Sequence, residues 1–266
     1  MPKLVAQLRV KDGILFVKEW LRRMETLVDE IVVVDNGSTD GTFEVLREHP
    51  KVTRIEQTHE FDEGRDRIRI LELAREQGAD WHIWLDVDEI FEDRITRKDI
   101  DMMMEQDRYT QFFFRRLNFH RDYNHFEGRF DKLIEQSCWS RVMWKEQPQG
   151  FLPNKKIHVG NIQGITGRGK FTNFRLKHIG SVDPRHLSRK TDIYKSVDPQ
   201  RGDVYDKHKA QQLPVWEYKE FSEDPGQVTR QLFMLNFLYV FMGWPIKTMR
   251  RILLNSKTKY YYHKNK

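Results

Sequence analysis

The composition of this 266-residue chain is that of a folded globular protein. Hydrophobic residues make up 38% and aromatic residues 12% of the chain, which excludes an intrinsically disordered protein. The net charge of +6 favours a polyanionic partner, such as a nucleotide, a nucleic acid or an acidic lipid. Cys138 is the only cysteine, so the sequence excludes an internal disulfide and a thiolate zinc cluster and favours a reducing compartment.

Strand and helix patterns alternate through the first third of the chain. The strand patterns cover residues 4–10, 31–34, 52–56 and 81–85, and the helical patterns cover residues 14–28, 43–49 and 64–77. The second strand is β-branched and apolar on both faces, as expected for a central parallel strand covered by helices. We therefore predict an α/β fold with a parallel sheet and right-handed crossovers, which binds its ligands at the carboxyl ends of the strands.

Polar segments follow two of these strands. Residues 35–42 read DNGSTDGT and are rich in turn formers and helix caps, and three carboxylates, Asp86, Asp88 and Glu89, follow the fourth strand. If the extended geometry of that strand persists, Asp86 and Asp88 point to the same side. Two carboxylates suit Mn²⁺ or Mg²⁺, which keeps other positions for water or phosphate. An acidic loop or a helix start is the structural alternative.

The two motifs together, IVVVDNGSTDGT at 31–42 and WLDVDE at 84–89, resemble glycosyltransferase family 2. The resemblance covers roughly residues 4–95. It implies a GT-A-like, Rossmann-like fold, with a mostly parallel sheet and helices on both faces, to which the C-terminal residues are expected to add a helical extension. It also implies that the protein moves a sugar from a nucleotide-diphosphate sugar, with Mn²⁺ or Mg²⁺ as cofactor and inversion of the anomeric centre.

The same resemblance assigns a nucleotide site. It implies that Asp35 contacts the base or ribose and that Leu8 and Arg9 line the base. Arg65 lies in the segment Gly-Arg-Asp at 64–66, which is similar to the family's Ala-Arg-Asn and places this arginine near the nucleotide. Ion pairing of Arg65 with a neighbouring aspartate is the structural alternative.

A metal site is implied as well. Asp86 and Asp88 are the expected metal ligands, and Asp86 and Val87 are expected to contact the donor as part of the same motif. His178 lies in a His-x-Gly segment like that of related transferases and is the expected third ligand through neutral imidazole. A hydrogen-bonded structural histidine is the alternative. His158 is followed by valine instead of the relatives' glutamate, which counts against a catalytic role.

Residues 96–225 are expected to bind the acceptor. Further strand patterns occur at 110–117, 140–144, 154–160 and 174–180, and a short helical pattern lies near 100–104. The polar residues 118–132 are predicted to form an acceptor-binding loop. Glu127 and Asp131 are the candidates for the base that takes the acceptor's proton. Glu89 and Asp183 are the second-ranked candidates. For each of the four residues, the alternative is a surface carboxylate without a catalytic role.

We predict one GT-A domain at residues 1–225, in which 1–95 bind the nucleotide-sugar and 96–225 bind the acceptor. A helical and basic extension follows at 226–266. Its apolar run at 232–242 is too short to span a bilayer. The basic residues after it fit either peripheral contact with an anionic membrane or the frayed end of a helix packed on the sheet.

The expected function is metal-dependent, inverting transfer of a hexosyl or deoxyhexosyl group. The expected donor is a nucleotide-diphosphate sugar, with a UDP-sugar favoured, and the acceptor is a hydroxyl on a glycan or lipid-linked glycan. We expect a cytoplasmic location, with membrane association through the basic segment, because the sequence begins without a signal-peptide pattern. The alternatives are a sugar-phosphate nucleotidyltransferase and a non-enzymatic nucleic-acid or membrane-binding protein. No recognisable nucleic-acid motif accompanies the basic residues, so no nucleic-acid partner is expected.

Overall fold

A computed structural model describes residues 1–127, 139–157, 159–197 and 215–217. The chain divides into two compact units, formed by Met1–Phe114 with Arg141–Thr172 and by Arg115–Ser140 with Asn173–Lys266. The predicted domains at 1–225 and 226–266 stay a prediction, since the proposed extension lies outside the described residues.

The described strands and helices have the following bounds. The strands are β1 (Leu4–Val10), β2 (Glu30–Asp35), β3 (Val52–Gln57), β4 (Trp81–Trp84), β5 (Glu89–Phe91), β6 (Gln111–His120), β7 (His125–Glu127), β8 (Trp139–Lys145), β9 (Gly169–Ser181) and β10 (Val215–Glu217). The helices are α1 (Ile14–Met24), α2 (Thr42–Arg47), α3 (Glu63–Glu76), α4 (Arg97–Glu105) and α5 (Pro184–Val197).

A parallel sheet forms the centre of the first unit. Its strand order is β8-β4-β1-β2-β3, in which β1 to β4 run parallel and β8 pairs antiparallel with β4. Residues 31–34 of β2 are fully buried, so both faces of this strand are covered. The predicted α/β fold is confirmed, including the four parallel strands and the central position of the second one.

Helix α3 covers one face of the sheet. Its Ile70, Leu73 and Ala74 pack in one apolar cluster with Val5 of β1 and with β2. Burial of this kind contributes roughly 25 cal/mol per Å² of apolar surface, which makes the packed face the main reason why this charged helix forms. The N-terminal end of α3 is fixed by Asp62, whose side chain accepts a hydrogen bond from the Arg65 backbone N–H at 2.9 Å.

Helix α1 is apolar on one side and is buried there through Phe16, Val17, Trp20 and other residues. Gly13 precedes it and offers no capping side chain. The cap comes instead from Asp40, whose carboxylate accepts a hydrogen bond from the Ile14 backbone N–H at 3.1 Å. The loop after β2 is therefore tied to the start of α1.

In the second unit, β7 pairs antiparallel with both β6 and β10. The prediction of a loop at 118–132 is wrong for residues 118–120, because β6 continues to His120, and for 125–127, which form β7. Leu117 and Phe119 are buried, and this apolar alternation continues the strand past the polar Asn118. Residues 128–138 lie outside the described part of the chain.

The predicted strand at 154–160 is also wrong, since its described residues, 154–157 and 159–160, have irregular structure. Its backbone instead contacts the start of α3. A Cβ atom at Gly64 would collide with the Lys155 carbonyl oxygen, and the Glu63 backbone N–H donates to the Lys156 carbonyl at 3.0 Å. The segment is therefore held against the start of α3 and takes no part in a sheet ladder. None of the helices within the described ranges is long and apolar enough to cross a bilayer.

A polar network around the buried His82 joins β1, β4, α3 and Glu146, the residue after β8. His82 is fully buried, with Nδ1 2.7 Å from Gln7 Nε2 and Nε2 2.7 Å from Glu146 Oε2. Arg75 of α3 donates from Nε to Glu146 Oε1 at 2.8 Å. Burial acts to raise the pKa of Glu146, but the hydrogen bonds and charges of His82 and Arg75 outweigh it and hold that pKa below its ordinary value.

The lowered pKa of Glu146 predicts a pH-dependent contribution to stability. A carboxyl with a lowered folded-state pKa stabilises the protein above its unfolded pKa and loses that effect as pH falls through the folded value. We expect Glu146→Gln to lower the free energy of unfolding by about 1–2 kcal/mol at pH 7. The loss should shrink toward pH 3, as measured by urea denaturation across pH. Glu76→Gln, an exposed ion-pair partner of Arg69, is the control and should change stability little.

Candidate functional site

Asp35 ends β2 at the carboxyl edge of the parallel strands and is fully buried. Its Oδ1 accepts hydrogen bonds from the Ser38 backbone N–H at 2.8 Å and from Gln57 Nε2 at 3.1 Å. Its Oδ2 has no hydrogen-bond partner among the described residues. Because a buried carboxylate oxygen without a donor is costly, this atom marks a position where a ligand's N–H or O–H group can bind.

The loop after Asp35 is held in one conformation by its own polar groups. Asn36 is fully buried and donates from Nδ2 to Thr58 Oγ1 at 2.9 Å and to the Glu60 carbonyl at 2.8 Å. Gly37 has a φ of 70°, in the left-handed region that favours glycine. Lys11 Nζ donates to the Asn36 carbonyl at 2.9 Å, which ties the loop to the end of β1. Asn36 therefore serves as the anchor of this loop.

A second charged group lies at the start of α3. Asp66 is fully buried and accepts from Arg9 Nε on Oδ2 at 3.0 Å and from Arg65 Nη2 on Oδ1 at 2.8 Å. The Arg9 guanidinium also lies 5.0 Å above the ring of Phe61. The hydrogen bond to Asp66 raises the pKa of Arg65. One buried carboxylate thus holds two arginines at the edge where Asp35 lies.

The two positions that depart from the family's Ala-Arg-Asn segment now have a physical explanation. Gly64 is required by the close approach of the Lys155 backbone described above. Asp66 supplies the negative charge that Arg9 needs in a half-buried position. Arg65 pairs with Asp66, as the structural alternative stated, and its contact with a nucleotide stays a prediction.

The carboxylates after β4 lie in a turn. The Glu89 backbone N–H donates to the Asp86 carbonyl at 2.9 Å, so the extended geometry does not persist and the condition for Asp86 and Asp88 to point to the same side is not met. The two side chains differ in burial: the Asp86 side chain is 45% exposed, whereas Asp88 is 2% exposed. Val87 between them is buried and packs toward Gly13, where a Cβ atom would lie 3.1 Å from Val87 Cγ1.

Arg67 lies beside this turn. Its guanidinium carbon is 3.6 Å from the centre of the Trp84 ring, and Nη2 lies 3.7 Å from Asp86 Oδ1. Sequence reasoning missed this residue. The only local signal is the i,i+4 pair with Glu63 on α3, which is the usual pattern of a surface ion pair.

The donor chemistry at the turn fits a divalent cation. Asp86 and Asp88 supply hard carboxylate oxygens, and the exposed Asp86 is open to a ligand. In the ranges that the structure describes, no three His, Cys, Asp or Glu side chains are grouped as a metal site. With Asp86 and Asp88 as ligands, a cation held here would keep further positions for phosphate oxygens and water, a mode common for Mg²⁺.

Of the other expected site residues, the structure describes Leu8, Glu127 and His178. Leu8 is fully buried in β1 and contributes to the core, so its contact with a base stays a prediction. Glu127 ends β7, where its backbone pairs with Val215, and Asp131 lies outside the described residues. His178 is in the second unit, with Nδ1 2.9 Å from Asn118 Oδ1, which is the contact of a hydrogen-bonded histidine. Ligation of a metal by His178 stays a prediction.

The two reserve candidates for the base differ in their surroundings. A hydrogen bond from Arg185, with backbone N–H groups, lowers the pKa of Asp183 to about 2, which makes this carboxylate a poor base near neutral pH. Glu89 is buried, with Oε2 3.4 Å from the Asp86 backbone nitrogen, and belongs to the turn itself.

Comparison with protein families identifies the chain. The family model described as "Glycosyl transferase family 2" matches residues 13–165, more than half of the sequence. The chain belongs to glycosyl transferase family 2. This membership confirms the family predicted from the motifs at 31–42 and 84–89. A search of curated proteins found no match.

Solved structures with a similar fold are distant in sequence. TarS 1-349 from S. aureus, in complex with UDP, has a TM-score of 0.47 and 13% identity over 73% of this chain and 64% of its own. A longer TarS structure has a TM-score of 0.48 and 14% identity over 97% of this chain and 46% of its own. The mannosyltransferase PcManGT from Pyrobaculum calidifontis, solved with GDP-Man and Mn²⁺, has a TM-score of 0.47 and 14% identity over 97% of this chain and 76% of its own. The chain thus spans less than two thirds of these first two structures.

The Arg9–Asp66–Arg65 group generates a prediction about stability. Asp66→Asn removes the negative charge that two arginines share, and we expect the free energy of unfolding to fall by about 3 kcal/mol, since one buried partner is lost. Denaturant unfolding measures this loss. Asp62→Asn, in the same turn of α3, keeps a helix-capping side chain and should stay near wild type. Equal losses in the two variants would contradict the charge explanation.

Proposed function

We propose that this family 2 member is a metal-dependent, inverting glycosyltransferase. It moves a hexosyl or deoxyhexosyl group from a nucleotide-diphosphate sugar, most readily a UDP-sugar, to a hydroxyl of a glycan or lipid-linked glycan. The observation that carries the proposal is the open Oδ2 of buried Asp35 at the same sheet edge as the Asp86 turn. Strand β1 pairs with β2 on one side and with β4 on the other, so the two groups follow neighbouring strands of that edge.

The hydrogen-bonding groups at Asp35 favour uracil as the base. Uracil offers one ring N–H flanked by two carbonyl oxygens. Ser38 and Gln57 both donate to Oδ1 of Asp35. Its Oδ2 is therefore the oxygen that can accept one N–H group from the base. Arg9 Nη2 likewise lacks a hydrogen-bond acceptor among the described residues and suits a carbonyl oxygen. Guanine offers two adjacent N–H groups and would leave one of them without an acceptor at Asp35.

The Asp86 turn supplies what the leaving group requires. Departure of a nucleoside diphosphate leaves negative charge on phosphate oxygens, and a divalent cation neutralises that charge. Asp86 and Asp88 are the residues that would hold the cation, and Arg65, with a side chain 43% exposed, is a fixed positive charge close to the same edge. For the acceptor, Glu127 and Asp131 remain the proposed bases, since inversion needs one carboxylate to take the hydroxyl proton.

The proposal is tested by thermal unfolding of the full chain with UDP, GDP, CDP, ADP and the corresponding nucleotide-sugars, with and without Mn²⁺. A ligand specific to the folded state raises the melting temperature. We expect UDP compounds to give the largest shift and Mn²⁺ to increase it. The absence of any shift across the panel would refute the proposed donor site.

Two variants separate the base contact from the metal contact. Asp35→Asn replaces the open oxygen by an N–H donor and should abolish the UDP shift with or without Mn²⁺. Its own stability should stay within about 1 kcal/mol of wild type, because the Oδ1 contacts can be kept. Asp88→Asn should keep the shift with UDP alone and lose the increment from Mn²⁺. Identical behaviour of the two variants would mean that base and metal are not bound separately.

The base candidates are separated by conservative variants. We expect Glu127→Gln or Asp131→Asn to reduce turnover by at least about a hundredfold, while the thermal shift with the donor is unchanged. Product formation from the donor and acceptor measures turnover. Asp183→Asn is the control and should stay active, since its pKa of about 2 makes it a weak base. Full activity of both test variants would exclude both residues.

A further inference from the structure

We propose that Arg67 is a resident cation on Asp86, which makes binding of a divalent metal depend on the bound nucleotide diphosphate. The inference rests on the proposed function, because it concerns the metal that Asp86 and Asp88 would hold. It adds a regulatory role for a residue that neither sequence motif contains.

The Arg67 guanidinium is fixed by contacts in three parts of the first unit. It lies over the Trp84 ring at the end of β4, donates from Nη1 to the Gly160 carbonyl at 3.1 Å, and has Nη2 3.0 Å from Glu63 Oε1. Its side chain is 14% exposed. These contacts hold the positive charge in place, so its distance of 3.7 Å from Asp86 Oδ1 does not rely on Asp86 alone.

Arg69 shows how different this arrangement is from an ordinary ion pair. It lies two residues later on the same helix and contacts three carboxylates, those of Glu56, Glu72 and Glu76, at 2.7 to 3.1 Å. Its positive charge is therefore neutralised by these neighbouring carboxylates. Arg67, by contrast, has one close carboxylate in Glu63 and stands at the longer distance from Asp86.

This geometry has a consequence for metal affinity. A divalent cation bound at Asp86 would lie close to the fixed guanidinium, and like charges at such a distance repel. Glu63, 3.0 Å from Arg67 Nη2, weakens this repulsion but leaves the guanidinium 3.7 Å from Asp86. A nucleotide diphosphate brings negative charge of its own and removes the repulsion. Free protein should therefore bind Mn²⁺ weakly, and protein with a nucleotide diphosphate should bind it tightly.

The test measures Mn²⁺ binding directly, through the electron paramagnetic resonance signal of free Mn²⁺ in titrations of the full chain without acceptor. Without nucleotide, we expect Arg67→Gln to bind Mn²⁺ about three- to tenfold more tightly than wild type. With saturating UDP the difference should largely disappear. A residue with a purely structural role would weaken metal binding or leave it unchanged when removed, so an increase in affinity is specific to this proposal.

Two further variants test whether a change in Mn²⁺ affinity is specific to Arg67 or follows from any loss of charge on α3. Arg69→Gln removes a positive charge from the same helix and should bind Mn²⁺ as wild type does. Glu63→Gln removes the carboxylate that competes for Arg67 Nη2, and we expect Mn²⁺ binding without nucleotide to weaken about twofold. The opposite signs of the effects in Arg67→Gln and Glu63→Gln keep the test valid even if one of the two variants folds poorly.

The outcomes distinguish this inference from the proposed function. Wild-type Mn²⁺ binding with UDP, combined with unchanged or weaker binding by Arg67→Gln without nucleotide, would overturn the role of Arg67 and leave the metal site standing. No Mn²⁺ binding by wild type or by Arg67→Gln, with or without UDP, would overturn both. Tighter binding by Arg67→Gln that Asp88→Asn then abolishes in the double variant would support both.

Discussion

The pairing of β1 with β2 on one side and β4 on the other is the constraint on which the site depends. All three strands are parallel, so their carboxyl ends meet at one edge and their polar continuations lie along it. The apolar residues of β2 are buried on both faces, which holds this strand in the middle of the core. The position of Asp35 relative to the Asp86 turn is therefore set by the core of the sheet.

Charge compensation is the second organising feature of this edge. Asp66 lies between Arg9 and Arg65, and Glu63 lies against Arg67, so the acidic and basic residues at the start of α3 are arranged in pairs. Pairing lowers the cost of placing positive charge in half-buried positions. It also keeps these guanidinium groups oriented before any ligand binds, which reduces the entropy lost on binding.

The sequence predicted most of the first unit because local pattern and tertiary structure agree there. The bounds of β1 were predicted without error, and α3 and β4 to within a residue, since apolar runs and caps such as Asp62 carry the information locally. At Asp86 the condition of a continued strand is not met, because a hydrogen bond from Glu89 closes a turn there, and no periodicity shows such a bond.

The remaining errors and omissions have a common cause. Residues 154–160 have the composition of a strand, but contacts with the start of α3 decide their path. Arg67 escaped notice because Trp84 and Gly160, which fix its position, lie far from it in the sequence. The contact of Asp35 with a nucleotide is implied by the family resemblance alone, whereas its open oxygen results from tertiary contacts that the sequence does not show.

The close approach at Gly64 makes the backbone path of residues 155–156 independent of their side chains. The contact is made by the backbone of Lys155, so it places no demand on the side chains at 155 and 156. The path of this segment is specified by the missing side chain at residue 64, far earlier in the chain. The side chains at these two positions can therefore change while the backbone keeps its place beside α3.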